Sequence, residues 1–472
     1  MRQFLFFLVI LAGLYAPANA RTAAIHAFAA ESWEESGAPG AAYAVIEGDA
    51  SKAEGFGVAQ AGGELAVSPD TPFRIGSITK SFTALAIMQL AEAGALTIDD
   101  PVSDHLPEMR NNAARSITLR QLLSHTSGFS TIQGNALHDQ SGELPPTLAA
   151  LAASLGEQGT AYPPGTRWEY SNANYQILGA VIEAVSGSGY EDYVRNRIFA
   201  PLGLSSGTFA YTETPKGAAI GHRPWFGGHR AFDDHGDSRL NASAGGILMS
   251  ARDLATYLAV MMNGQSDVLS AEGKARMLQP ASEAAPFYGL GWFLDSATGS
   301  AFHGGLVPGS EALATMIPAQ RKGVVVLVNT NGGIGFGESV DLREGVTAFA
   351  LGREYSGSGS RWGPKTAYLS VMLLPPFFVL AIIWGWMRRR EILAKRTNTA
   401  GLFSLWFPLA AMLALAFVLI AVIPQMFGGS IATILLYQPD FGAGMVAAAI
   451  LAPVWALFRL VLAYLPSRPA PA

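Results

Sequence analysis

The chain has 472 residues and contains no cysteine. Disulfides, thiolate nucleophiles, cysteine-ligated zinc and iron–sulfur clusters are excluded in any compartment, so a nucleophile must be oxygen or nitrogen. Charge is scarce too. Only 14% of residues are Asp, Glu, Lys or Arg against 50% hydrophobic, and the mean hydropathy is +0.26. Soluble domains alone do not have that composition, so part of the chain belongs in a membrane. The scarcity is uneven: up to Arg361 there are 23 Lys and Arg against 34 Asp and Glu, a net of −11, and the remainder holds 8 against 2. A nucleic-acid surface needs clustered cations, and the acidic front part has none.

The first 20 residues read as a signal peptide: Arg2, an apolar Phe4–Leu14 core and the small-residue pattern Ala18-Asn19-Ala20 before Arg21. An uncleaved anchor is the alternative, disfavoured because the apolar core is short for a span of about 20 residues. Near the other end, Ala367 to Met387 offers 21 uncharged residues, followed at once by Arg388-Arg389-Arg390 and Lys395-Arg396. Those cations assign that end to the cytoplasm. Two more spans are expected at about 402–423 and 441–465, separated by Pro424, Gly428-Gly429 and Leu435–Tyr437 at the returning interface, with Arg459 able to reach the headgroups. Three spans after an exported start place the C-terminus inside. The expected location is a bacterial inner or plasma membrane, with the large domain periplasmic or extracellular. That domain covers 21–353, and the Ser/Gly-rich stretch 354–366 reads as a linker.

Within 21–353 the pattern mixes strand and helix. Ala41–Glu47 alternates as a strand and is expected to pair with Gly55–Ala59 across a polar Gly48–Lys52 turn. Helices are expected over 79–93, 118–123, 174–185, 190–198 and 251–262, the last opened by a Ser250/Asp253 capping box. Strands return at 288–293, 312–317 and 323–329, and 340–351 reads as a closing helix. Strands at both ends with helices between them predict an α+β fold: an antiparallel sheet to which the chain returns after a helical insertion.

Three short motifs carry chemistry. Ser77-Ile-Thr-Lys80 stands at the mouth of the 79–93 helix, and three-residue spacing puts the hydroxyl and the amine on one face. A buried Lys80 loses proton affinity, so its neutral amine can take the Ser77 proton without a histidine. Tyr170-Ser-Asn172 sits at a turn before the next helix, where a phenol can carry a proton and an amide can clamp a substrate. Packing in the core is the competing reading for that pair. His303-Gly304-Gly305-Leu306 precedes the strand-rich end; its glycines permit close backbone approach, so the Leu306 amide can join that of Ser77 as an oxyanion hole.

Together with Leu122-Leu-Ser-His-Thr-Ser-Gly-Phe129 and Ala244-Gly-Gly-Ile-Leu-Met-Ser-Ala-Arg-Asp253, these motifs resemble the serine β-lactamase and penicillin-binding-protein-like hydrolases. The likeness is to the branch of class C β-lactamases, D-alanyl-D-alanine carboxypeptidases and carboxylesterases. It implies a β-lactamase/transpeptidase-like fold and acyl transfer: Ser77 attacks a carbonyl, Lys80 and Tyr170 move protons, and Asn172 orients the substrate and helps to hold Lys80. His303 departs from the lactamase and peptidase pattern, which has lysine there. A neutral histidine does not supply the fixed cation that suits a substrate carboxylate, and the resemblance at this point is to esterases and D-amino-acid amidases.

Other signals are set aside. The three His and three Asp of the 221–237 loop match no standard zinc spacing, so no metal and no cofactor is expected. His125 reads as a turn cap, Ser81 has no lysine three residues on, and no G-x-S-x-G elbow is present. The expectation is a membrane-anchored serine hydrolase whose partners are a small or peptide acyl substrate, including one derived from the cell wall, and the lipid bilayer. The rivals are a penicillin or cell-wall-peptide binding protein that does not turn over, and a tail that itself handles a lipid. The tail holds almost no intramembrane ionisable residue apart from Arg459, which favours anchoring.

Overall fold

In a computed structural model, the structure describes residues 18–139, 144–209, 211, 214–232, 239–335 and 339–464. The chain forms two compact units that divide between Gly359 and Ser360. Residues 1–17 of the expected signal peptide lie outside the described residues; the first described helix, Ala18–Ser36, runs across the expected cleavage point.

Strands in the first unit run in chain order as β1 (Gly40–Glu47), β2 (Ala50–Gly57), β3 (Phe73–Arg74), β4 (Thr208–Phe209), β5 (Gly221–Trp225), β6 (Gly228–Phe232), β7 (Ile247–Met249), β8 (Phe293–Asp295), β9 (Ser300–Val307), β10 (Ser310–Ile317) and β11 (Lys322–Val328). The main sheet has the order β2-β1-β11-β10-β9-β8 and is antiparallel throughout. The first hairpin thus pairs with the last strand, Ala41 opposite Val328, and the helical lobe is inserted between them. This is the expected α+β architecture.

Both faces of the sheet are covered, which explains the unbroken apolar run of β11. Val325 and Leu327 face the large core with Phe82, Leu85 and Leu258. Val324, Val326 and Val328 face a second core with Ile25 and Ala29 of the first helix and Leu342 and Val346 near the end of the unit. The helical lobe includes Leu119–Leu123, Leu148–Gln158 and Asn172–Ser186.

Several boundaries differ from expectation. The first hairpin turns through Gly48-Asp49 alone, since Glu47 pairs with Ala50, so the turn is two residues and β2 starts earlier. The expected strand 288–293 is only a bridge between Tyr288 and Phe293 leading into the short β8. His303 lies inside a strand, β9, rather than before one; its paired glycines lower β-propensity and hid the strand. Ser250 accepts from the Asp253 amide, but the Asp253 carboxylate takes Ser206 instead of closing the box.

Among the described residues, the second unit contains three helices long and apolar enough to cross a membrane: Trp362–Met387, Thr399–Met426 and Pro439–Tyr464. The expected returning interface is itself a short helix, Ile431–Tyr437. Asp440, which the sequence reading left outside the third span, is buried in that span's first turn and accepts from Tyr368 Oη at 2.6 Å. Arg459 donates to Ser404 O at 3.1 Å and stacks on Trp455.

Candidate active site

The site forms where β3 gives way to the helix Thr79–Glu92. Ile75 N–H pairs with Ile247 O of β7, Gly76 turns at φ +52°, and Ser77 follows in a single 3-10 turn. A Cβ on Gly76 would lie 2.8 Å from Leu306 N, and one on Gly305 would lie 2.0 Å from Ile75 O. Both glycines are therefore required for β9 to run this close to Ser77. Gly304 is different: a Cβ there meets nothing nearer than 3.9 Å. No side chain caps the 3-10 turn or the helix it opens; the Ile78 and Thr79 amides bond back to the carbonyls of Ile75 and Gly76.

Lys80 is fully buried. Its Nζ lies 3.1 Å from Ser77 Oγ, 2.8 Å from Asn172 Oδ1 and 2.7 Å from Ala244 O. Among the described residues no carboxylate pairs with it. Burial without a counter-charge holds the amine well below the ordinary lysine value. Two of its three partners only accept, so a neutral amine can spend both hydrogens on Asn172 and Ala244 and turn its lone pair to the Ser77 hydroxyl.

Asn172 opens the helix Asn172–Ser186, and its Nδ2 donates to Asn135 Oδ1 at 2.9 Å, which fixes the amide with Oδ1 toward Lys80. The Tyr170 phenol faces Ser77, which counters part of the burial effect on it, and its ring centroid is 5.0 Å from Lys80 Nζ. Burial pushes its phenol above the ordinary tyrosine value. The structure thus brings Ser77, Lys80, Tyr170 and Asn172 into one cluster.

His303 is buried on β9. Its Nδ1 lies 2.7 Å from Gly304 O, which can only accept, so the proton sits on Nδ1 and Nε2 accepts from Tyr288 Oη at 3.3 Å. Burial first, then the neighbouring Lys80, pushes its pKa down to about 3. A neutral imidazole results. From His303 to Val307, β9 pairs with β10 on one side while β8 stops opposite Phe302, so that edge is left open; Leu306 on it is half exposed, at 51%.

Sequence reasoning missed Asn135, which carried no motif, and the Ala244 carbonyl, although Ala244 opens one of the landmark segments. Ser81 is buried and donates to Ile78 O within its own helix. His222 is committed to structure, with Nδ1 at 2.9 Å from Asn329 O and Nε2 accepting from Ala61 N–H. Asp233, Asp234, His235 and Asp237 of the same loop lie outside the described residues. Among the described residues no group of three or more His, Asp or Glu is placed to hold a metal.

An antiparallel sheet with an inserted helical lobe and a helix start wedged between them defines the β-lactamase and penicillin-binding-protein class of serine hydrolases. The chain belongs to the beta-lactamase family, whose model matches residues 25–348. It is 33% identical over 299 residues to the putative penicillin-binding protein PbpX of Bacillus subtilis, covering 63% of this chain and 72% of that one. Among solved structures it is similar to the octameric penicillin-binding protein homologue from Pyrococcus abyssi (TM-score 0.61, 29% identity, 71% of this chain and 78% of that one). It is also similar to a D-stereospecific amidohydrolase from Streptomyces sp. (TM-score 0.54, 28% identity, 67% and 97%).

Proposed function

We propose that this protein is a membrane-anchored serine hydrolase that works through an acyl-enzyme on Ser77. The observation that carries the reading is the Lys80 amine: buried, without a carboxylate, and 3.1 Å from Ser77 Oγ. As Oγ attacks the substrate carbonyl, its proton passes to Lys80. The tetrahedral oxyanion is met by the amides of Ser77 and Leu306 at the positive end of the helix Thr79–Glu92. Tyr170 hands its proton to the leaving group and is refilled by the proton that Lys80 took from Ser77, so the neutral pair can then take a proton from the water that releases the acyl group and return it to Ser77 Oγ. Asn172 orients the substrate amide and keeps Lys80 directed at Ser77.

The substrate is an ester or amide. Neutral His303 offers no fixed charge for a carboxylate, which favours esters and D-amino-acid amides or peptides over penicillins. The likeness to a D-stereospecific amidohydrolase supports that choice. The three apolar helices support the anchor, and the basic 388–396 segment, as a cytoplasmic signal, supports an exported catalytic unit.

The test is p-nitrophenyl ester turnover by the full chain in detergent, wild type beside Ser77→Ala, with intact mass to detect the adduct. Loss of turnover by about ten-thousandfold or more in the variant, with its melting temperature retained, is expected. Full activity in Ser77→Ala overturns the reading. A stable adduct without turnover replaces hydrolysis by the binding or sensing alternative.

A further inference from the structure

Three described non-glycine residues adopt positive φ: His125 (+58°), Phe226 and Arg321. Of these only His125 is buried. Left-handed backbone is disfavoured at a side-chain-bearing residue, and it persists only where the surroundings demand it.

What the conformation achieves is visible in the contacts. The His125 carbonyl accepts from Glu169 N–H at 2.9 Å, and its Nδ1 accepts from Ser171 N–H at 3.2 Å. The two amides flank Tyr170. The imidazole lies against the Tyr170 ring itself, with centroids 4.4 Å apart and planes inclined by 31°. One residue therefore grips the peptide on both sides of Tyr170 and also supports its ring. We infer that His125 is a positioning residue that fixes Tyr170 for proton transfer, an inference that rests on the hydrolase reading above.

The ring's protonation state follows from its partners. Ser127 Oγ donates to Asn174 Oδ1, which turns Asn174 Nδ2 toward His125 Nδ1 at 2.9 Å. With two donors aimed at Nδ1, the ring proton resides on Nε2. That nitrogen has no hydrogen-bond partner among the described residues. The imidazole as a whole packs against the rings of Tyr175 and Tyr288, at centroid distances of 5.2 and 5.1 Å. With no acceptor to exchange with, the ring is a platform and not a proton carrier. A second proton would have to enter at Nδ1 and expel both donors; burial, Lys80 and His303 all oppose it.

Two variants of the full chain test this, assayed by ester turnover beside Ser77→Ala. His125→Gly accepts the backbone conformation but lacks the ring and the Nδ1 acceptor. His125→Asn tolerates the same conformation and its Oδ1 can receive Ser171 N–H. In His125→Gly kcat is expected to fall about a hundredfold with KM within about threefold, the scale of a misplaced reacting group. In His125→Asn kcat returns to within about tenfold of wild type, a recovery that a general packing defect would not give. Wild-type kcat in His125→Gly, or equal rates in the two variants, overturns the inference while the loss in Ser77→Ala keeps the hydrolase reading intact. Equal turnover by wild type and Ser77→Ala overturns that reading and the inference with it.

Discussion

Two lysines of the first unit are buried almost completely, and they are built for opposite purposes. Lys274 Nζ meets Val260 O, Asn263 Oδ1 and both oxygens of Asp267, at 2.7 to 3.1 Å. Lys80 Nζ meets an amide oxygen, a carbonyl and a hydroxyl. Burial is the same; the counter-charge is not. A carboxylate stabilises the ammonium and fastens Ala271–Met277 to the neighbouring loop, whereas neutral acceptors solvate the amine without holding its proton. Burial lowers the proton affinity of Lys80, where the fold supplies only neutral acceptors, whereas around Lys274 it supplies the Asp267 carboxylate.

Replacing each lysine by methionine should separate the two roles most widely. Lys80→Met is expected to lower ester kcat/KM by roughly a thousandfold or more, with stability within about 1 kcal/mol of wild type, since the lost hydrogen bonds are offset by no longer burying an amine. Lys274→Met should do the reverse, leaving turnover unchanged and costing about 1–2 kcal/mol in urea unfolding, a figure discounted because Asp267 is 27% exposed. Similar rate losses in both would remove the distinction.

A sharper test converts one site into the other. Asn172→Asp gives Lys80 the counter-charge that Lys274 already has, so its affinity for the proton rises. Activity needs the neutral amine; it is present above the folded pKa of Lys80 and lost as pH falls through it. In wild type the depressed value puts that acid limb well below the ordinary lysine range. In Asn172→Asp the limb should move up by about 1–3 pH units, costing roughly tenfold per unit near neutrality and recovering in alkali. A loss that no pH restores would assign the effect to misplaced substrate instead.

His303 extends the comparison to a second neutral base and to the smallest effect. Its folded pKa, about 3, lies below the unfolded value, so the unfolded chain binds the proton first as pH falls. Its stability contribution is full above about pH 6.5 and is lost between there and about pH 3. Relative to His303→Gln, the wild type should lose up to roughly 1.4 kcal/mol per pH unit across that window, read by urea denaturation at stepped pH. A flat difference would mean that the imidazole is already charged in the folded protein.

Legibility in the sequence followed the range of the interaction. Ser77 and Lys80 share a helical turn, so their meeting was fixed by spacing, and Tyr170 and Asn172 were flagged by a motif only three residues long. That Asn172 reaches Lys80 depends on packing of the helix Asn172–Ser186 against Thr79–Glu92, which no local pattern expresses. His125 was read as a turn residue because its left-handed backbone and its grip on residues 169 and 171 exist only in three dimensions. The α+β order was readable from alternation in β1 and from the apolar, β-branched run of β11 at the other end of the unit. β9 escaped because the paired glycines Gly304 and Gly305 lower strand propensity, and Gly305 is there for clearance from Ile75 O.

The Lys80 environment also sets when the site switches on. Ser77 and Lys80 are neighbours on one helical turn, but the amine's proton affinity is depressed only once Asn172 and Ala244, far away in sequence, have closed over it and buried it. In a chain still exposed to water the same lysine is an ammonium ion, and Ser77 is an ordinary alcohol. On the proposed mechanism, reactivity is thus the last property the molecule acquires.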